Sequence, residues 1–126
     1  MRTTVLAAGV TALLAALVPT AALPAATPTK PGKCVATTIK SIETRLEGVA
    51  DSGSAVVYAD GIYGVSYDQI PEVEHSKAGD KVELCLVSLP EDCPKGDDRG
   101  KVYAAFNLRT QEYWQLPDAE HMCGGA

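Results

Sequence analysis

Asp51, in the run Val49-Ala50-Asp51-Ser52-Gly53-Ser54, is the carboxylate whose neighbours best equip it for chemistry. A carboxylate on such a turn can do acid chemistry if a second one stands close enough to share its proton. The same residues also make a turn by default, since Asp and Ser bond their own backbone and Gly accepts positive φ. A serine or cysteine nucleophile needs a base oriented by a third group, and the only histidines are His75 and His121. His75 lies among Glu72, Glu74 and Lys77 in a polar connection, the setting of a solvated side chain. His121 follows Asp118 and Glu120 in a polar tail and precedes Cys123, so a Cys–His pair there requires a free thiol. Asp118, Glu120 and His121 offer metal donors without the close spacing of a ligand set.

The Asp51 run resembles the active-site signature of aspartic proteases, which implies Asp51 as the acid of a single-lobe homodimer. That family also carries a later apolar-apolar-Gly strand. Here Leu86-Val87-Ser88 and Val102-Tyr103-Ala104 lack the glycine. A periplasmic hydrolase using Asp51, or the Asp97/Asp98 pair, is therefore the second functional reading. The first is a non-enzymatic domain that binds a protein or a cell-envelope component, with no catalytic residue, metal or cofactor assigned. Two places carry its candidate residues. Asp97, Asp98 and Arg99 lie in the charged loop Asp92–Gly100, which could equally make a Ca²⁺ site with Asp92 but lacks the ligand alternation of an EF-hand. Asn107, Arg109 and Trp114 flank the last turn; Trp114 is a binding hot spot if half exposed and core if buried.

Composition sets the compartment. Met1-Arg2 precedes an uncharged apolar run from Val5 to Val18, then Pro19 and small residues, the three-part pattern of a secretory signal peptide cut after Ala22, with a cut near Ala26 as the alternative. Pro19 and the alanine-rich stretch after it make a poor membrane span. Residues 1–22 are thus read as leader, 23–33 as a disordered Pro/Thr/Lys-rich lead-in and 34–126 as one domain. With Arg2 removed, ten Lys+Arg face 16 Asp+Glu, a net charge of −6. Such a chain repels nucleic-acid phosphates and anionic headgroups, so neither nucleic acid nor, after cleavage, membrane is an expected partner. An envelope protein or polysaccharide is. Cys34, Cys85, Cys93 and Cys123 all lie in the exported part, and an even count in a small exported chain reads as two disulfides.

The elements that must position these residues are strands. Val82, Leu84 and Leu86 alternate with polar positions; Val102, Ala104, Phe106 and Leu108 repeat the pattern, and Trp114 and Leu116 do so briefly. Cys34–Leu46 has apolar residues at helical spacing but is rich in β-branched ones, which favours a strand, bent or bulged. Asp60-Gly61 between Ala55–Ala59 and Ile62–Tyr67 predicts a two-residue hairpin opposing Tyr58 to Tyr63 and Val56 to Val65. Ile70–Ala78 reads as a polar connection that Pro71 keeps out of pairing. The sum is an all-β single domain, a small barrel or sandwich of about six antiparallel strands.

This layout predicts the bridges Cys85–Cys93, across the Pro90 turn, and Cys34–Cys123, tying the tail to the first strand. The weak point is that Cys85 faces away from Leu84 and Leu86, and so need not point at Cys93.

Gly79-Asp80, Leu84-Cys85-Leu86-Val87-Ser88, Cys93-Pro94, Gly96-Asp97, Arg99-Gly100, Tyr103, Asn107-Leu108-Arg109-Thr110, Trp114, Leu116-Pro117-Asp118 and His121–Ala126 together resemble a family of short, uncharacterised exported bacterial proteins. The likeness spans most of the mature chain. It implies a periplasmic or secreted setting and transfers no site residue. Gln111 departs from it, standing where such a turn better accommodates glycine.

The leader reading predicts that N-terminal sequencing of the mature protein begins between Leu23 and Thr27. A membrane-retained chain that keeps Met1 or Arg2 would overturn it.

Overall fold

The computed structural model describes residues 8–19 and 26–125. Met1-Arg2, the cleavage point after Ala22 and Ala126 lie outside them. Six strands follow one another as β1 (Cys34–Thr44), β2 (Ser54–Tyr58), β3 (Tyr63–Val65), β4 (Lys81–Ser88), β5 (Val102–Asn107) and β6 (Glu112–Pro117). They form one antiparallel sheet in the order β3-β2-β1-β4-β5-β6. The sheet curls into a half-barrel that brings its two ends together. A Cβ built on Gly64 of β3 would lie 3.2 Å from Cβ of Leu116 on β6. The all-β expectation holds, with one addition. A single helical turn, α1 (Pro71–Glu74), interrupts the connection after β3. Pro71 starts it because the first helical position needs no N–H bond, and Val73, fully buried, joins the core between β2 and β6.

β1 organises the sheet. Its first half pairs with β4, Cys34 opposite Cys85 through Thr38 opposite Lys81; its second half pairs with β2, Ile39 opposite Tyr58 through Thr44 opposite Ser54. A bulge between Ile39 and Ser41 bends the strand where it changes partners. Of the lead-in, Pro31-Gly32 forms a turn closed by Lys33 N donating to Lys30 O (3.1 Å), and Gly32 N donates to Leu86 O (2.8 Å).

Ile39, Val56, Tyr58, Val73, Val82, Leu84, Leu86, Tyr103, Ala105, Trp114 and Leu116 fill the interior. The inward faces of β4 and β6 are those the alternation predicts. That of β5 is the opposite one: Ala105 lies opposite Leu84 and Tyr103 opposite Leu86, so Tyr103, Ala105 and Asn107 face in. Phe106, 41% exposed, and Leu108, 56% exposed, face out.

The β2–β3 hairpin is shifted by one residue from its expected register, with Val57 opposite Tyr63 and Val56 opposite Gly64. Tyr58 N donates to Ile62 O and Gly61 N to Tyr58 O, both 2.9 Å. The loop is therefore Ala59-Asp60-Gly61, with Gly61 at φ 88°. A three-residue loop with glycine in the left-handed position uses the same Asp-Gly pair as the two-residue turn.

Both expected disulfides are replaced by others: the bridges are Cys34–Cys85 and Cys93–Cys123, with Cα atoms 4.0 and 5.3 Å apart. Cys34 and Cys85 are directly opposed across β1 and β4, and their side chains share the outer face. Cys93 instead meets the tail. The chain-entropy model gives each bridge about 4 kcal/mol, since the term grows only with the logarithm of loop length and separations of 51 and 30 residues differ little on that scale.

Gly61 has open space around its missing side chain, so Gly61→Val tests the backbone alone and should destabilise by more than about 1 kcal/mol. Gly53→Ala should cost more, because its Cβ would fall 2.1 Å from Ser66 O. Equal melting temperatures for either variant and the parent would contradict the hairpin geometry.

Candidate functional site

Asp80 ends the connection that enters β4, and its carboxylate is the most enclosed ionised group of the described residues, 3% exposed at the side chain. Burying a carboxylate is costly unless donors surround it, and four do. Arg109 grips it with two bonds, Nε to Oδ1 at 2.6 Å and Nη2 to Oδ2 at 2.8 Å. Asn107 Nδ2 donates to Oδ2 at 2.9 Å and Lys77 N at 2.9 Å. Asn107, fully buried, also donates to Ser76 Oγ (2.8 Å), and its Oδ1 accepts from Arg109 N (2.9 Å). Arg109 Nη2 reaches His75 O (2.9 Å), and His75 Nδ1 lies 2.9 Å from Glu112 Oε1. The arginine bonds, outweighing the opposing effect of burial, hold the Asp80 carboxyl well below the usual carboxylate range.

This network joins α1, the start of β4 and the β5–β6 turn. It uses Asn107 and Arg109 for the fold, although Arg109 keeps 45% of its side chain in solvent. Trp114 is core, 4% exposed, with Nε1 donating to the Tyr58 hydroxyl at 2.9 Å. Burial, only partly offset by that bond, pushes the Tyr58 phenol up.

The charged loop holds the tail. Arg99 binds Asp97 through Nε–Oδ1 and Nη2–Oδ2, both 2.9 Å, and Nη2 also donates to Gly125 O (3.1 Å). Gly124 N donates to Asp97 Oδ2 (2.9 Å) and Cys123 N to Arg99 O (2.9 Å), beside the Cys93–Cys123 bridge. Arg99 keeps the Asp97 carboxyl low; Lys101, 2.6 Å away, does the same for Asp98. Of the tail's metal donors, Asp118 accepts from Gly100 N (2.7 Å) and Glu120 pairs with Arg45 (3.2 Å), while the His121 ring stands 6.4 Å from that of Tyr67. Among the described residues, the one trio of His, Cys, Asp or Glu donors grouped at metal-binding distance is Cys34, Glu83 and Cys85. Its two sulfurs are bonded to each other.

Asp51 sits in an exposed turn at φ 60°, with Oδ1 accepting from Gln69 Nε2 (2.8 Å). Ser52 and Gly53 serve that turn as well: Arg45 Nε donates to Ser52 O (2.6 Å), and Gly53 packs on the Ser66 carbonyl.

What the sequence did not single out is the outer face. Ala36, Thr38, Ala59, Lys81 and Leu108 line an open groove of about 540 Å³, apolar apart from Lys81 and the threonines. Beside it, Phe106 is directly opposite Glu83 on β4 and Tyr113 on β6, and Tyr113 is 52% exposed. The alternation of β5 contained the signal, but with inside and outside exchanged.

Comparison with models of protein families, with curated proteins and with solved structures finds no match to this chain.

The Asp80 network gives the domain an acid limit. A carboxyl depressed in the folded state stabilises fully above its unfolded pKa, about 3.9, and that stabilisation fades as pH falls toward the folded value. Unfolding free energy should therefore drop below about pH 4, and Asp80→Asn should flatten this slope while lowering stability at pH 7. A parent curve level down to pH 2 would be inconsistent with the network.

Proposed function

We propose that this chain is an exported, non-enzymatic β domain, acting in the periplasm or the secreted fraction, that binds an envelope protein or polysaccharide through its outer face. The observation that carries the reading is the groove at Ala36, Thr38, Ala59, Lys81 and Leu108, continued by exposed Phe106 and Tyr113. Grouped apolar and aromatic exposure on a small domain is costly in water and is typical of recognition surfaces. By contrast, the groups able to do acid chemistry hold the fold: Asp80 is enclosed by donors, Asp97 clamps the tail and Asp51 stabilises a turn. Two disulfides suit an oxidising compartment. No helix among the described residues is long and apolar enough to cross a membrane. The setting agrees with the resemblance to short exported bacterial proteins.

The test compares mature protein with a Phe106→Ser/Leu108→Glu variant of equal melting temperature, immobilised against separated envelope protein and polysaccharide fractions. Retention of a defined component should fall at least about tenfold in the variant, as for loss of hot-spot residues. The hydrolase reading would replace this one if the parent cleaved peptide or peptidoglycan substrates and Asp51→Asn or Asp97→Asn/Asp98→Asn abolished the cleavage.

A further inference from the structure

We propose that the first half of β1 is a strand-addition site, which receives an extended acidic peptide along the edge of Cys34–Ala36. This rests on the binding reading above and gives it a partner class and a mode.

The edge follows from the way β1 divides its partners. β4 pairs with Cys34–Thr38, whereas β2 pairs only from Ile39 onward. In an antiparallel ladder, alternate residues turn their N–H and C=O to the same side. Leu86 N donates to Lys33 O (3.0 Å) and Ile39 N to Asp80 O (2.9 Å). Lys33, Val35, Thr37 and Ile39 therefore face β4 with their backbone groups, and Cys34, Ala36 and Thr38 face the other way. Ala59 N donating to Thr38 O at 2.9 Å marks that second side. Just past Ala59 the chain turns away at Asp60-Gly61. Among the described residues, nothing pairs with the N–H and C=O of Cys34 and Ala36, and both residues are exposed.

An added strand would prolong the line of β2, end to end with Ala59 and antiparallel to β1. One set of its alternate side chains would lie over the groove at Ala36, Thr38, Lys81 and Leu108, so main-chain bonds give affinity and the groove gives selectivity. Charge defines the peptide further. Arg45, Arg99, Lys101 and Arg109 each hold a carboxylate, but among the described residues Lys33 and Lys81, like Lys30, Lys40, Lys77 and Lys95, hold none. Lys33 and Lys81 flank the edge, the first next to Cys34 and the second opposite Thr38. Glu83 lies between them, opposite Ala36. Acidic side chains thus fit at the two ends of the added strand, with an alternating apolar pair between them over the groove. The edge spans only a few residues, which guards it against indiscriminate pairing with other chains.

The probe is the peptide acetyl-Glu-Val-Thr-Val-Glu-amide, titrated into ¹⁵N-labelled mature protein, with an N-methylated copy and a Lys-for-Glu copy as controls. In free protein, the Cys34 and Ala36 amides should exchange far faster than those of Val35 and Thr37. The peptide should slow them at least about tenfold, as new hydrogen-bonded strand pairing does. The N-methylated copy should fail to bind, and the Lys copy should bind at least about tenfold more weakly. Ala36→Pro should keep the melting temperature, since the lost N–H belongs to no ladder, and should abolish peptide binding. Absence of peptide binding, or protection of the Ala36 amide in free protein, overturns the proposal. So does binding of the N-methylated copy, or of parent peptide to Ala36→Pro; either would leave a groove ligand and hence the broader binding reading intact. Should Ala36→Pro not fold, the ladder assignment is wrong, and the N-methylated copy still decides the mode of binding.

Discussion

A buried carboxylate leaves a small domain little choice of structure around it. Asp80 can sit inside this half-barrel only if Arg109, Asn107 and the Lys77 amide converge on it, the first two supplied by the β5–β6 hairpin and the third by the turn after α1. The turn after α1, the start of β4 and the β5–β6 loop are thereby fixed relative to one another. A side chain with one partner missing would leave charge or donors stranded, which costs far more than the intact network contributes. The network therefore specifies the arrangement more than it stabilises it. Stability comes from the apolar interior, where Tyr58 and Trp114 bond across the barrel, and from two bridges that restrict the unfolded chain.

The sequence reading went as far as local rules reach. Period-two alternation located β4, β5 and β6, the Asp60-Gly61 pair located β2 and β3, and β-branched content made Cys34–Leu46 a bent or bulged strand, observed as Cys34–Thr44 with a bulge. Errors arose where a local pattern admits two geometries. Asp60-Gly61 fits loops of two or three residues, and choosing the first moved the hairpin register by one. β5 alternates small and apolar residues on both faces, so only its pairing with β4 reveals that Tyr103 and Ala105 point inward. The disulfides were misassigned for a related reason. Proximity in sequence favoured Cys85–Cys93, while the actual partner of Cys85 is set by β1–β4 pairing over a separation of 51 residues.

The candidate sites show the same division. Asn107, Arg109 and Trp114 were legible as unusual residues, but not that the first two serve Asp80 and the third the core. Asp80 itself follows a glycine before a strand and looks like any turn residue. Arg99 and Asp97 were legible as a charged loop, and their common task of holding Gly124 and Gly125 was not. Gln111 was suspect in sequence as a place for glycine, and its φ of 58° gives the reason.

The two bridges together have a mechanical consequence. The loop closed by Cys34–Cys85 contains the rest of β1, β2, β3, α1 and the start of β4; the loop closed by Cys93–Cys123 contains β5 and β6. Tension applied to the chain ends passes from Cys34 to Cys85, along Leu86–Asp92, and from Cys93 to Cys123. Every strand except the end of β4 lies off that path. A translocase or an unfolding protease pulling on either terminus would therefore stretch only this short segment, at most about 3.5 Å per residue, and would leave the barrel unpeeled until a disulfide is reduced.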